Sequence, residues 1–278
     1  MPRRVSPSYE HMQQIVLYDL KGAPTQTWAP NVSRVRCILN FKRLPFITIP
    51  LDLHDVENQM RSIGAPPTSY RQDRKPVYTL PVLVDPNRST GTHANGHSHG
   101  HGNGYGHPQE NGYRTPHITI SNVNLIVEYL EATYPARPVF PEGSRAMQTL
   151  VVHYIQDVFI QPLLPIMVPM SQPQLGGGGH KGYPPGANGG PMMHHEEGQW
   201  RQVKAQFDFL ATILDKNSSD TTLTYAQGRD VTYADLALCS VLAWIKKVAG
   251  RDSWAQVKKW GNGRWGRLYD RCKDYIEE

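Results

Sequence analysis

The chain has 278 residues, a length that suits two domains of ordinary size. Its 29 Lys and Arg residues against 24 Asp and Glu form no dense basic run with interleaved aromatic residues, so nucleic-acid binding is not expected. No stretch reaches the roughly 18 consecutive apolar residues that a membrane span needs, and the polar residues after Met1 argue against a secretory signal.

The first half of the chain alternates predicted strands with predicted helices. Pro45 and Pro50 place the second strand at a sheet edge, because proline cannot donate to a ladder, and Gly64 closes the second helix. The order predicts a mixed sheet of about four strands between helices. Apolar runs and helical spacing predict strands at 15–20, 45–51, 78–85 and 117–120, and helices at 29–43, 55–63 and 124–134.

The second half of the chain has a helical apolar pattern throughout. Pro162 and Pro165 must kink or end the long apolar helix that is predicted over 146–168. Thr232 is followed three residues later by Asp235, and this spacing is close to the capping-box pattern that opens a helix.

The change of periodicity after Pro135 predicts an α/β domain at residues 1–137 and an all-helical domain at 138–278. Each domain holds one insert whose composition cannot bury enough apolar area to fold by itself. The first insert, 87–116, is rich in glycine, asparagine and histidine, and the second, 175–190, contains a run of glycines. We expect both inserts to be disordered surface loops.

The cysteines Cys37, Cys239 and Cys272 are odd in number and widely spaced. Cys37 and Cys239 stand in apolar helical patterns, which favours buried thiols over reactive ones. Unpaired cysteines of this kind indicate a reducing compartment, and we expect a cytoplasmic location.

The first insert contains histidines at alternating positions, His97, His99 and His101, which could bind a transition metal when deprotonated. A functional metal site also needs fixed geometry and supporting hydrogen bonds, which a loop of glycine and asparagine does not supply. The sequence therefore predicts no metal site.

Pro81 interrupts the apolar run Tyr78–Asp85 just before Val82-Leu83-Val84. A proline at the entry of a buried strand favours a turn with a cis peptide bond. Such a turn leaves the backbone N–H and C=O of Leu80 available to bind an extended peptide as though it were an extra strand. The alternative is a trans proline that opens an ordinary strand.

Four local patterns in this chain together resemble the glutathione transferases, specifically the fungal group related to bacterial β-etherases. The patterns span residues 15 to 276 with the exception of the two inserts. The resemblance implies a thioredoxin-like α/β N-terminal domain followed by an all-α C-terminal domain. The patterns are Trp28-Ala29-Pro30-Asn31 with Arg34-Val35-Arg36, Ile63-Gly64-Ala65-Pro66-Pro67-Thr68, Tyr78-Thr79-Leu80-Pro81-Val82, and Thr232-Tyr233-Ala234-Asp235 through Trp244-Ile245-Lys246-Lys247 to Trp260-Gly261-Asn262-Gly263-Arg264-Trp265.

The resemblance implies that a hydroxyl donor and the N-terminus of the first helix activate the thiol of bound glutathione. This chain departs from that pattern, because the position of the usual serine is occupied by Ala29. Asn31 and Ser33 are therefore the candidate catalytic residues. The alternatives are that Asn31 only caps the helix and that Ser33 faces solvent.

The resemblance also assigns the residues that bind glutathione. Leu80, next to the cis proline Pro81, would pair with the cysteinyl backbone of glutathione. An acidic residue and a serine usually hold the γ-glutamyl end, and the matching positions here are Asn122 and Val123. Ser121 could replace that serine only if the register slips. A lost charge-assisted hydrogen bond costs about 1.5–3 kcal/mol, which is roughly one to two decades in glutathione affinity.

Two functions remain open at this point. The first is an enzyme that uses glutathione as co-substrate on a small hydrophobic or electrophilic metabolite, in conjugation, ether cleavage or isomerisation. The second is a transferase-like protein that has lost the thiol chemistry and binds or converts a secondary metabolite without glutathione. The resemblance further implies a homodimer with a role in fungal metabolism or detoxification.

Overall fold

The computed structural model describes residues 13–22, 28–88, 117–171, 192–217, 225–226 and 228–276, with only the backbone course for 192–197. Nearly all of the predicted insert 87–116 and the whole of the predicted insert 175–190 lie outside these residues. The division between domains at residue 137 stays a prediction, although every described strand of a sheet ends before residue 122.

A four-stranded mixed sheet is the centre of the first half, as predicted. The strands are ordered β2-β1-β5-β6, with β1 parallel to β2 and with β5 antiparallel to both β1 and β6. The strand with Pro50 lies at the edge, as its proline predicts. A separate two-stranded hairpin, β3 with β4, is too short to leave a pattern in the sequence. In chain order the strands are β1 (Ile15–Leu20), β2 (Phe46–Leu51), β3 (Ser69–Tyr70), β4 (Pro76–Val77), β5 (Val82–Asp85) and β6 (Ile118–Ser121).

The helices of the first half match the predicted ones within two residues. Pro30 occupies the first turn of α1, where a missing amide removes no hydrogen bond, and Arg43 ends this helix in the left-handed conformation. Gly64 has φ 69 just after α2, a backbone conformation that glycine adopts far more readily than other residues do. These helices are α1 (Pro30–Lys42), α2 (Val56–Ser62) and α3 (Val123–Thr133).

The described residues of the second half are mainly helical, and the long apolar segment is broken near Pro162. A π-helical turn and a 3-10 turn containing Pro162 separate α4 from α5. Pro165 does not break a helix, because it stands in the first turn of α5. The helices are α4 (Arg145–Tyr154), α5 (Leu164–Ser171), α6 (Met192–Leu214), α7 (Tyr233–Val248), α8 (Gly250–Val257) and α9 (Trp260–Cys272).

One stretch of the described chain, Arg145–Ser171, is long and apolar enough to cross a membrane, and an 18-residue window within it has a mean hydropathy of 1.4. The sequence contains no uninterrupted apolar run there, which is why it gave no such expectation. Ile155, Phe159 and Leu163 of this stretch are buried in the main hydrophobic core. A core helix passes the same test of length and composition.

Asn87, the first residue of the predicted insert 87–116, is hydrogen-bonded to residues at the end of the sheet. Its backbone N–H donates to Asp85 Oδ1 at 2.8 Å, and its side chain bonds both backbone groups of Gln13. Asp85 is fully buried and also accepts hydrogen bonds from the hydroxyls of Tyr129 and Tyr134 at 2.6 and 2.5 Å. The insert therefore begins at least one residue later than the composition indicated.

The capping box at the start of α7 is confirmed. Asp235 is fully buried, and its Oδ2 accepts from the N–H of Thr232 at 2.9 Å and from the Thr232 hydroxyl at 2.7 Å. Its Oδ1 accepts from the N–H of Ala226 at 2.7 Å. One carboxylate thus joins the first turn of α7 to the segment before it, which stabilises both.

Replacing Asp235 by asparagine is expected to change how stability depends on pH. Burial raises the pKa of Asp235 to about 6, so the folded state favours the protonated carboxyl. The proton on Asp235 stabilises the folded state. This stabilisation is complete below about pH 3.9, the pKa of an aspartate in the unfolded chain, and it is lost as the pH rises through the pKa of Asp235 in the folded protein. The stability difference between wild type and Asp235→Asn should therefore fall by about 2–3 kcal/mol from about pH 4 to pH 7. Urea unfolding at both pH values measures it, and a constant difference would contradict the prediction.

Candidate functional site

Three backbone segments meet at one end of the sheet, where β1 ends, β5 begins and β6 ends. We call this end the sheet edge, and it is distinct from the outer strand β2. Tyr18, near the C-terminal end of β1, pairs with Val82 at the start of β5, and Val82 pairs with Ser121 at the end of β6. The other end of β1 lies beside Pro45, which follows α1, because the N–H of Ile15 donates to the carbonyl of Pro45. The N-terminus of α1, the residues before β5 and the residues after β6 therefore share this edge.

The peptide bond between Leu80 and Pro81 is cis, as predicted. The ladder of β5 begins only at Val82, and no other described residue forms a backbone–backbone hydrogen bond with Leu80. Leu80 is half-buried and packs against both hydrophobic clusters of the protein. Its backbone is thus placed where an extended ligand could pair with it.

The N-terminus of α1 is capped by a residue without a polar side chain. Ala29 is the N-cap in extended conformation, and its carbonyl accepts the first helical hydrogen bond from the N–H of Ser33 at 2.9 Å. Pro30 has no N–H, so Asn31 and Val32 carry the first amides that lack an intrahelical acceptor. This end of the helix presents partial positive charge to the sheet edge.

The structure overturns both alternatives for the candidate catalytic residues. Asn31 is the second residue of α1 and not its cap, and its Oδ1 accepts a hydrogen bond from Arg34 Nη2 at 3.0 Å. Its side chain is exposed. Ser33 is 1% exposed and does not face solvent. A buried hydroxyl is closed to a ligand, so Asn31 is the better placed of the two.

Asn122 stands at the turn between β6 and α3. It has φ 76, in the left-handed region that asparagine tolerates, and its Oδ1 accepts from the N–H of Asn124 at 2.9 Å as the N-cap of α3. The register does not slip, because Ser121 remains in β6 opposite Val82. The Ser121 hydroxyl is buried and donates its proton to the carbonyl of Pro66 at 2.7 Å.

The cysteines of the chain do not supply a nucleophile. All three are free and buried. Burial raises the pKa values of the Cys37 and Cys239 thiols, so neither forms a thiolate near neutral pH. A thiolate at this edge would have to come from a bound molecule.

Three tryptophans of the helical half lie largely in the core. Trp244 and Trp265 are buried, and Trp260 is half-buried against Phe207, with 5.5 Å between the ring centroids. Tyr18 is also buried. In the part of the chain that is described, no group of three or more His, Cys, Asp or Glu side chains is arranged for a metal ion, and His97, His99 and His101 lie outside it.

Sequence reasoning missed Arg34, which it used only as part of a motif. Its guanidinium lies beside Asn31 at the first turn of α1, and the residue is 2% exposed. The sequence carries no clear signal for this burial, because Asn31, Ser33 and Arg36 make the same stretch of α1 polar as well.

Comparison with known proteins adds independent observations. The family model for the C-terminal domain of glutathione S-transferases matches residues 185–275. Glutathione S-transferase-like protein ustS of Aspergillus flavus is 20% identical over 265 residues, which cover 91% of this chain and 86% of that protein. Glutathione transferase GSTFuA3 from Phanerochaete chrysosporium is 26% identical with a TM-score of 0.71, over 95% of this chain and 98% of the other. CsGST83044 of Ceriporiopsis subvermispora, solved in complex with glutathione, is 29% identical with a TM-score of 0.72, over 95% and 99%.

Proposed function

Because the chain has the glutathione transferase fold and carries the C-terminal domain of that superfamily, we propose that it binds glutathione at the sheet edge described above. The thiol would then act on a small hydrophobic or electrophilic metabolite by conjugation, ether cleavage or isomerisation. The observation that carries this proposal is the strand register that places Leu80, just before β5, close to Asn122, just after β6. A similar structure that holds glutathione supports it.

Each segment of the edge has a chemical role in this proposal. The free backbone groups of Leu80 pair with the cysteinyl backbone of the tripeptide, in the manner of an added strand. The first amides of α1 and the Nδ2 group of Asn31 stabilise the sulfur as a thiolate, which the helix N-terminus favours. Asn122 holds the γ-glutamyl end by hydrogen bonds without a carboxylate charge. The cytoplasm supplies the reducing conditions that free cysteines and glutathione both need.

A second candidate function is a glutathione-independent one, and two specific residues favour it. Ala29 lacks the hydroxyl that would donate to the thiolate, and Asn122 lacks the charge that would hold the γ-glutamyl amine. Under this alternative the same edge binds or converts a secondary metabolite directly. Thiol-dependent turnover of a general electrophile separates the two functions.

Calorimetric titration of the whole protein with glutathione tests the proposal directly. We expect a dissociation constant one to two decades weaker than a carboxylate at position 122 would give, since a charge-assisted bond contributes about 1.5–3 kcal/mol. If glutathione does not bind at millimolar concentration and no thiol-dependent turnover is found, the proposed enzyme function is wrong. The glutathione-independent function would then remain.

Asn122→Asp is expected to tighten glutathione binding by about ten- to hundredfold. The two side chains have the same shape, and Asp retains the N-cap bond to the N–H of Asn124. The added charge would meet the amine of the γ-glutamyl end. Asn124→Asp adds the same charge two residues further on and serves as the matched control. If Asn122→Asp and the wild type bind glutathione with equal affinity, Asn122 does not contact glutathione.

We also propose that the protein forms the homodimer that its family resemblance implies, through adjoining faces of α3 and α4. Leu125 of α3 is 60% exposed, and Met147 and Leu150 of α4 are 56% and 58% exposed. An ion pair between Glu128 and Arg145 shows that these two faces are neighbours. Large apolar side chains at helical spacing on one surface are typical of an interface between copies.

Leu150→Glu is therefore expected to convert a dimer into a monomer, because two carboxylates would be buried at a two-fold contact. Size-exclusion chromatography with light scattering measures the mass. Phe209→Glu on α6 is the matched control, since Phe209 is 54% exposed and lies outside the face. A wild-type monomer, or a Leu150→Glu dimer, would contradict this interface.

A further inference from the structure

Helix α1 carries three buried cations, and one of them has no anionic partner among the residues that the structure describes. Arg36 pairs with Asp19 at 3.5 Å, and Lys42 pairs with Glu131 at 2.5 Å. Arg34 is equally buried, yet it forms no ion pair with any described residue. A buried guanidinium without an anion is costly unless something else balances its charge.

The hydrogen bonds of Arg34 are also incomplete. Nη2 donates to Asn31 Oδ1 at 3.0 Å, whereas Nε and Nη1 are buried and have no hydrogen-bond partner in the described structure. The Asn31 bond fixes where the guanidinium lies, which is beside the first turn of α1. The positive charge of Arg34 therefore adds to the partial positive charge of the helix N-terminus.

The same bond orients Asn31. With Oδ1 held by the guanidinium, the Nδ2 group is the part of the exposed side chain that remains to donate. Donation from a charged group to Oδ1 polarises the amide, which strengthens Nδ2 as a donor. Arg34 is a buried donor and Asn31 is an exposed one. The hydrogen bond between them therefore connects the core to the sheet edge.

We propose that Arg34 is a positioning residue for thiolate formation, which acts through Asn31 and replaces the hydroxyl that Ala29 does not provide. This inference rests on the proposed glutathione function. In the step concerned, the S–H bond of bound glutathione breaks, the sulfur keeps the electron pair and the proton goes to solvent. Nothing is oxidised or reduced, and the Asn31 amide donates to the resulting thiolate.

The test measures the pKa of the thiol of bound glutathione, from thiolate absorbance against pH in the complex with the whole protein. Arg34→Met should raise this pKa by about one unit, the lower end of what a nearby opposite charge contributes. Arg43→Met is the control, because it removes the same charge from the exposed opposite end of α1, about 20 Å away. Arg43→Met should leave the thiol pKa unchanged.

Thermal stability without glutathione separates this role from a structural one. Because Arg34 has no anionic partner in the described part of the chain, Arg34→Met should keep or raise the melting temperature of the unliganded protein. If Arg34→Met fails to fold, the role is structural in part, and Arg34→Gln decides, since it can still donate to Asn31 without carrying charge. Arg34→Gln should also raise the thiol pKa.

An unchanged thiol pKa in a folded Arg34→Met or Arg34→Gln variant overturns the inference. An effect of Arg34→Met that simply adds to that of Asn31→Ala overturns the coupling through Asn31, whereas a smaller combined effect supports it. Failure of the wild type to bind glutathione would instead refute the proposed function, and this is seen before any variant is made.

Discussion

Lys42→Ala is expected to lower the free energy of unfolding by about 3–5 kcal/mol, because it leaves a buried carboxylate without its counter-charge. The Lys42 side chain is fully buried, and its Nζ lies 2.5 Å from Glu131 Oε1. The same ammonium donates to the carbonyl of Tyr134 at 2.8 Å and to those of Ala136 and Arg137. The Lys42 side chain thus connects the C-terminal end of α1 to residues 134–137, which follow α3.

The measurement is urea unfolding monitored by tryptophan fluorescence. Lys21→Ala is the matched control, because Lys21 pairs with Asp52 at 3.2 Å but is 53% exposed, and exposed pairs contribute less than about 1 kcal/mol. Combining Lys42→Met with Glu131→Gln removes both charges and keeps an acceptor for the N–H of Val139. We expect this double variant to be more stable than Lys42→Ala. A loss below about 1 kcal/mol for Lys42→Ala would contradict the assigned role.

Ala29→Ser is expected to raise thiol-dependent turnover by about tenfold or more, since a hydrogen bond to a charged group contributes about 1.5–3 kcal/mol. Ala29 is the N-cap of α1, so a serine hydroxyl there would lie at the helix end that favours the thiolate. Initial rates with a general electrophile, and the thiol pKa of bound glutathione, measure the gain.

Serine is also a better helix cap than alanine, and a control must separate the two effects. Ala29→Gly improves the cap without adding a hydroxyl, because glycine is itself a favourable N-cap residue. Equal rates for Ala29→Gly and Ala29→Ser would show that capping, not thiol activation, causes the change. Asn31→Ala should act in the opposite direction and lower turnover, because it removes the exposed amide donor beside the thiol.

Features that depend on near neighbours in the chain were predictable from the sequence. The Thr232–Asp235 capping box, the turn at Pro81 and the edge position of the strand with Pro50 were all predicted and are confirmed. Each follows from local chemistry: a side chain three residues away, a missing amide, or apolar spacing that matches a strand or a helix. The thioredoxin-like sheet followed by a helical domain followed from the order of these local signals together with the family resemblance.

The tertiary structure alone decided which polar residues are buried and what they meet. Nothing local distinguishes Arg34, which meets no anion among the described residues, from Arg36, which pairs with Asp19 of β1, or from Lys42, which pairs with Glu131 of α3. Likewise the burial of Ser33 follows from packing against segments far away in sequence. Helical periodicity assigns a residue to a face, but the partner of a buried charge is set by which distant element packs on that face. The sequence by itself determined most of the helices and strands and, through the family resemblance, the residues of the proposed site. The contacts between distant elements determined the charges and hydrogen bonds around those residues.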